Sequence, residues 1–475
     1  MSNKAAFRVL VAGVASICAV ALGAQAPARQ ELDQQYQSAV ANYEAGRYAE
    51  AASQLEKLLP FATTSPTVHE LLGLVYASLN KPEKALNELK TAVQLKPDWP
   101  EARTNLGTAL LHSGNAAIAG EQFSKALELD PKSFDTNRNL GEYYVHSGKV
   151  GEGRTLLERA HQIDPNSYDN TYDLVMADFL LNRLAEARTL ALELAAQKDS
   201  GELRNLLGQI DEKDGKYVAA ANDFEAAAHL DPSEDNLFDW GCEMLLHRTY
   251  EPAITIFDEG VKRYPKSARL LIGLGLSLYS RGKYDEAIKA LLASADLNPS
   301  DPRCYVFLSK AYNSSPLQAD EVIQAFKRYA DLQPTSAQAQ YYYAISLWKG
   351  KRTADTTLDQ KTVESLLMKS ISLDDSLAEA HVQLGNLYAD QHEYQKSIPQ
   401  YVRALALDPT LADAHYRLGT DYVHIGQKED AQKEFAVYQK LRADHLDEVE
   451  KERDQVQQFV YDAKSDASLQ QDHAN

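Results

Sequence analysis

Cysteine is scarce in this chain, with three residues in 475, so a disulfide framework is not what holds it together. Cys242 and Cys304 lie two repeats apart in the pattern described below, too far for a bridge, and read as small core or groove residues. Basic charge is also in deficit, 49 Lys and Arg against 68 Asp and Glu, and no basic stripe offsets it. Nucleic-acid binding, which depends on cations meeting phosphates, is excluded on that ground. The sequence has no Gly-x4-Gly-Lys-Ser/Thr loop, no dinucleotide glycine fingerprint and no zinc-type Cys/His cluster, and "GKR" at Gly350 lacks the preceding glycine. No catalytic residue, cofactor or metal is therefore expected, and the chain reads as a non-enzyme. Apolar runs are short: the longest, residues 9–22, falls below the roughly 20 residues that span a bilayer.

That run follows Lys4 and Arg8 and precedes the small residues Ala24, Ala26 and Ala28, the pattern of a secretory signal over residues 1–28. Cleavage after Ala24 or Ala28 is favoured, because a cut after Ala26 leaves Pro27 first. Loss of Lys4 and Arg8 takes the basic count from 49 to 47 against 68 acidic residues, a formal charge of about −21. The expected location is exported, periplasmic or extracellular, with no stable membrane span after signal removal. An N-terminal membrane anchor is the alternative.

What the chain has in abundance is a repeat. A single core rarely grows past roughly 250 to 300 residues, so a chain this long is multidomain or repeat-built. Gly73, Gly107 and Gly141 stand 34 residues apart, as do Pro97, Pro131 and Pro165. Counted from the glycine, a leucine precedes it, Gly or Asn comes seven on, an aromatic nine on, Ala twelve on, a large apolar residue sixteen on, Ala nineteen on and Pro twenty-four on. Apolar spacing is helical on both sides of the second glycine, so each unit is two helices. An interior glycine costs a helix about 1 kcal/mol. That loss is tolerable where the partner helix approaches closely, and the alanines of the second helix are expected to face the glycine. Proline then ends the second helix. The tyrosines in the pattern's core slots, the large residue three on (Tyr76, Tyr144 and Tyr388) and the aromatic nine on (Tyr48, Tyr217, Tyr284 and Tyr394), are expected in the core.

This 34-residue helix-turn-helix pattern resembles the tetratricopeptide repeat, and about twelve units cover residues 31 to 443. The resemblance implies an all-α fold, a right-handed superhelical solenoid of stacked antiparallel helix pairs in which each unit contacts mainly its neighbours. The step from Gly208 to Gly241 is 33, and Asp199 stands where proline is usual, so "AAQKDSGELR" marks a boundary between an N-terminal array (29–199) and a C-terminal array (200–443). Residues 349–361 lengthen one unit, as a neutral surface loop or a functional insertion. Residues 444–464 read as a polar capping helix, and 465–475 as a disordered tail.

Non-pattern positions of the first helix point into the concave surface, which in tetratricopeptide proteins commonly holds a peptide or a helix. Asn105, Asn139 and Asp173 stand 34 apart, two residues before the anchor, and resemble an asparagine ladder that grips a ligand backbone. Thr108 and Glu142 follow one residue past the anchor, and His112 and His146 five past it. The histidines read as groove-lining rather than metal-ligating, since helices packed about 8 to 10 Å apart hold them too far apart for one zinc. In the run Tyr341, Tyr342, Tyr343 not every ring can point inward, and Tyr341 or Tyr342 is expected to face the groove. The resulting expectation is a protein-interaction scaffold for partner peptides or proteins. The alternatives are a helper for envelope assembly or polysaccharide export in a bacterial periplasm, and a non-catalytic adaptor for a separate transferase.

Overall fold

The structure, a computed structural model, describes residues 29–443 apart from 316, 317 and 351–359, together with 454, 457–460 and 462. The signal segment 1–28, most of the 349–361 insertion, most of 444–464 and the tail 465–475 lie outside the described residues. Among the described residues there is no strand. The chain runs as helix pairs, beginning with α1 (Arg29–Glu44) and α2 (Tyr48–Leu58), α3 (Pro66–Ser78) and α4 (Pro82–Leu95), α5 (Pro100–His112) and α6 (Ala116–Leu129). Next come α7 (Phe134–His146) and α8 (Val150–Ile163), α9 (Tyr168–Leu180) and α10 (Leu184–Gln197), α11 (Gly201–Lys213) and α12 (Tyr217–Leu230), α13 (Glu234–Leu246) and α14 (Tyr250–Arg263). The last pairs are α15 (Ala268–Ser280) and α16 (Tyr284–Leu297), α17 (Pro302–Ser314) and α18 (Ala319–Leu332), α19 (Ala337–Gly350) and α20 (Gln360–Leu373), α21 (Ala378–Asp390) and α22 (Tyr394–Leu407), α23 (Ala412–His424) and α24 (Lys428–Ala443). Contacts divide the chain between Asp199 and Ser200 into two compact units, one holding α1–α10 and the other α11–α24.

Local chemistry sets each boundary. Ser133, Ser167, Ser200, Ser233 and Ser267 cap first helices by accepting a hydrogen bond from the amide three residues on, a contact typically contributing about 1 kcal/mol. The turn inside a pair needs a left-handed residue: Gly114 has φ 74°, which lets the Asn115 amide donate to the Leu110 carbonyl at 2.9 Å and close the end of α5. Asn80, Asn182, Arg248 and His392 fill the same register in other pairs, also with positive φ. A proline follows the second helix, as Pro131 follows α6.

The repeat glycine does permit close approach, chiefly to the large residue sixteen on, with the backbone of the residue twelve on next: a Cβ on Gly73 would also lie 3.2 Å from the Ala85 carbonyl oxygen. A Cβ placed on Gly107 would lie 2.5 Å from the Phe123 ring, and one on Gly73 2.6 Å from Leu89. The large residue sixteen on covers the glycine, because it lies between the two alanines on one helical stripe and its longer side chain fills the space the missing Cβ leaves. The alanines, Ala119 and Ala126 among them, are fully buried beside it.

The core tyrosine slots depart from expectation in part. Tyr76 and Tyr388 are buried, but Tyr217 is 51% exposed, and Tyr48, Tyr144, Tyr284 and Tyr394 are half-buried. Their place at or near a helix terminus leaves one ring face open. Two pack on neighbouring rings instead: Tyr394 stacks 4.6 Å from the His424 ring, and Tyr217 lies tilted 4.6 Å from His247. Cys242 and Cys304 are buried in the core of the C-terminal unit and are not disulfide-bonded.

A polar clamp recurs inside the pairs, four residues before the anchor. His69 bridges Glu88 of α4 (2.6 Å) and the Thr63 carbonyl, and His415 bridges Glu434 of α24 (2.5 Å) and the Pro409 carbonyl. Arg103 joins Gln122 to the Pro97 carbonyl in the same way. Each clamp ties the preceding loop to both helices of its pair. Hydrogen bonding to Glu88 raises the His69 pKa, so the charged ring is favoured there.

Candidate binding surface

Within each unit the first helices approach one another across repeats, α3 against α5, α5 against α7 and α7 against α9 in the N-terminal unit, and α11 against α13, α13 against α15 and α15 against α17 in the C-terminal unit. First helices therefore line the inner, more tightly curved side. The residues two and three before the anchor, and those one and five after it, lie along it.

In the N-terminal unit the candidate residues from the sequence meet one another and their neighbours. Asn105 donates from Nδ2 to Glu70 Oε1 at 2.8 Å, linking α5 to α3. Asn139 donates to the Thr108 hydroxyl at 3.4 Å, linking α7 to α5. Asp173 of α9 lies 3.5 Å from Arg138 Nε of α7. Glu142 and His146 sit 4.0 Å apart on the last two turns of α7, with 44% and 69% of their side chains exposed. His112 is exposed at the end of α5. The row thus forms a seam between helices, in which the asparagine amides are already engaged with the protein itself.

Two carboxyls in the seam are perturbed. Burial raises the Glu70 pKa to about 7, the Asn105 hydrogen bond opposing and the Glu101 charge adding. Burial likewise raises Asp173 to about 7, with the Glu142 charge adding and Arg138 opposing. In both, desolvation outweighs the favourable partner.

The partners of the ladder were not singled out by the sequence reading. Glu70 and Arg138 stand three residues before their anchors and meet the residue two before the next anchor. In the C-terminal unit Asn205 and Asp239 repeat that relation at 2.8 Å, and Asn205 also donates to Asn236 at 3.1 Å. The available signal was this offset pairing, 34 or 35 residues apart, rather than one register read alone.

Further along the C-terminal unit the same register turns aromatic. Phe238 stands three before Gly241, and Phe307 two before Ser309, which takes the glycine's place. Tyr341 and Tyr342 hold the corresponding places in α19, their rings 5.5 Å apart. Tyr342 packs 5.6 Å from Phe326, and Tyr341 packs against the cluster of Ala344, Val363 and Leu367, so both are half-buried. Phe459 and Val460, from the segment read as a capping helix, are buried here: the Phe459 ring lies 6.5 Å from Phe238 and 6.1 Å from Phe307.

Among the described residues no group of three or more His, Cys, Asp or Glu is placed to hold a metal ion, and no helix is long and apolar enough to cross a membrane.

Comparison with known proteins bears on the repeat. Family profiles described as TPR repeat match residues 73–114 and 385–423, and profiles described as tetratricopeptide repeat match 100–133, 144–210 and 246–302. The Hsp70-Hsp90 organizing protein of Triticum aestivum is 32% identical over 85 residues, 18% of this chain, and the match spans only 15% of that protein's length. Among solved structures, that of PilW, a type IV pilus biogenesis factor, is 21% identical with TM-score 0.40, covering 44% of this chain and 96% of that one. Yeast Tom70 is 16% identical with TM-score 0.36, covering 92% and 96%. Glycines seated under a large residue sixteen positions on, a left-handed turn seven positions on, and matched profiles in both units lead to one assignment: the chain is a tetratricopeptide-repeat protein.

Proposed function

We propose that this protein is a non-enzymatic interaction scaffold that holds protein partners along the inner faces of its first helices. The observation that carries the reading is the row in the N-terminal unit formed by Glu70, Asn105, Thr108, Asn139, Glu142 and Asp173, which puts mixed donors and acceptors on successive first helices. Stacked repeats present extended surfaces of this kind, suited to an elongated ligand. Glu142 of the row, with His112 and His146 beside it on the same helices, is open to a partner. The test is capture of partners by the full chain, compared with a variant carrying His112→Ala, Glu142→Ala and His146→Ala. Loss of the captured proteins at unchanged melting temperature is the expected result. Retention of every partner at equal affinity rejects the N-terminal face as the binding surface, and recovery of purified glycan in place of protein rejects the protein-scaffold reading.

Export is a further part of the proposal, supported by Lys4, Arg8, the apolar run of residues 9–22 and the small residues that follow. Cell fractionation with N-terminal sequencing checks it. The expected chain starts after Ala24 or Ala28 outside the cytosol, and a cytosolic chain retaining Met1 refutes export.

A further inference from the structure

Phe459 and Val460 sit on the inner face of the C-terminal unit, on helices far from them in sequence. The Phe459 ring meets Phe238 edge-on across 71° and Phe307 across 84°, so one ring bridges α13 and α17, which are two repeats apart. Phe238 and Phe307 stand at inner-face positions that carry Thr104 and Arg138, and Asn105, Asn139 and Asp173, in the N-terminal unit, although Leu71 of α3 is apolar in the second register. Asp173 in that register is 26% exposed, yet Phe238 is 1% and Phe307 4% exposed. Val460 is fully buried in the same cluster. The segment holds helical spacing, since Gln458 Nε2 donates to Asp462 Oδ1 four residues on at 2.6 Å. Asp462 in turn closes a recess with Asn298 and Arg303 at the loop between α16 and α17.

We propose that the inner face of α13, α15 and α17 is a docking groove for an amphipathic helical peptide presenting an adjacent aromatic and aliphatic pair, and that the chain's own Phe459 and Val460 fill it in cis. This rests on the scaffold reading and deepens it, assigning the C-terminal unit a ligand class different from that of the polar N-terminal face. The groove supplies two aromatic walls for the Phe, apolar burial for the Val and Arg303 near the acidic residue that follows. A helix laid into an apolar groove is a common mode of peptide recognition, with anchors at helical spacing. A tethered segment meets its site at an effective concentration in the millimolar range, so a partner must carry the same anchors to displace it.

A fluorescein-labelled peptide of residues 454–464 is the probe. It is titrated into the wild-type full chain and into a full chain carrying Phe459→Asp and Val460→Asp, with fluorescence anisotropy as readout. The expected result is saturable binding to the double variant and binding about tenfold or more weaker to the wild type, where the cis segment competes. A peptide carrying Phe459→Ala should not bind. Hydrogen exchange on the wild-type chain gives a reading independent of the variant: amides of Gln457–Val460 should be protected, and excess unlabelled peptide should accelerate their exchange. Equal affinity for both chains, no binding to either, or unprotected exchange at these amides overturns the proposal. Each of those failures leaves partner capture by the N-terminal face intact, and failure there leaves this result unaffected.

Discussion

Two residues before the anchor, α5, α7 and α9 of the N-terminal unit carry Asn105, Asn139 and Asp173, while α13, α15 and α17 of the C-terminal unit carry Asp239, Gly273 and Phe307. The helices that hold them share one register and a buried second-helix stripe, although Val175 and Ser309 take the glycine's place in α9 and α17. The difference is that the first set is joined by side-chain hydrogen bonds and an ion pair across neighbouring helices, whereas Phe307, with Phe238, is covered by Phe459 and Val460. Polar side chains on an inner face satisfy one another and keep a solvated surface. Aromatic ones require a cover, because exposed contiguous apolar surface is a binding site in waiting. One scaffold thus supports two surface chemistries, since the residues that set the fold are not those that face the groove.

The comparison breaks most readily at Phe307. Changing it to Asn imposes the N-terminal chemistry on the C-terminal face and removes a ring that is 4% exposed, at an expected cost of about 3 to 5 kcal/mol. Chemical denaturation of the full chain measures it, and a cost below about 1 kcal/mol would show that the Phe459 contact adds little to packing.

Glu70→Gln sharpens the polar side of the contrast. An unperturbed glutamate titrates near 4.3, whereas Glu70 in the fold holds its proton up to about 7. Between those values the folded chain binds more protons than the unfolded one, so stability falls as pH rises through that window. Glutamine keeps an oxygen for the Asn105 amide without the charge, and should stabilise the chain at pH 8 by about 1 to 3 kcal/mol with little effect near pH 4. Melting temperatures at the two pH values test this, and equal pH dependence in variant and wild type would refute it.

The shared scaffold can be probed by Gly107→Ala. Its Cβ would lie 2.5 Å from Phe123, and overpacking should outweigh the helix-propensity gain for a net loss of about 1 to 2 kcal/mol. A stabilised variant would mean that the glycine is not needed for close approach. The smallest change expected is at Arg248, which adopts φ 57° where other turns use glycine. Arg248→Gly should stabilise by about 0.5 to 1 kcal/mol in thermal unfolding, by relieving the left-handed backbone cost.

Spacing alone made the helix pairs legible, because Gly107, Gly114, Ala119, Phe123 and Pro131 each answer to a local rule: close approach, left-handed turn, buried stripe, helix stop. Which residue lies on the glycine was not legible. Both the alanines and Phe123 share one face of α6, and only the packed distance separates them. The candidate surface was readable as a register but not as contacts. Asn105 and Asn139 repeat every 34 residues, yet Glu70 and Thr108, which engage them, stand at other offsets on the neighbouring helix. Tyr217 shows the same limit, since a pattern slot names a position on a helix but not how much of it the next helix covers.

The sequence by itself determined what depends on a few residues of backbone: where helices start, turn and stop, and that the unit repeats, since caps, left-handed glycines and helix periodicity act within one or two turns. Tertiary structure alone decided which inner-face side chains meet across repeats and that Phe459 settles between α13 and α17. Those contacts join residues from tens to more than two hundred positions apart, and such pairings follow from the accumulated stacking of many modules rather than from any stretch of chain.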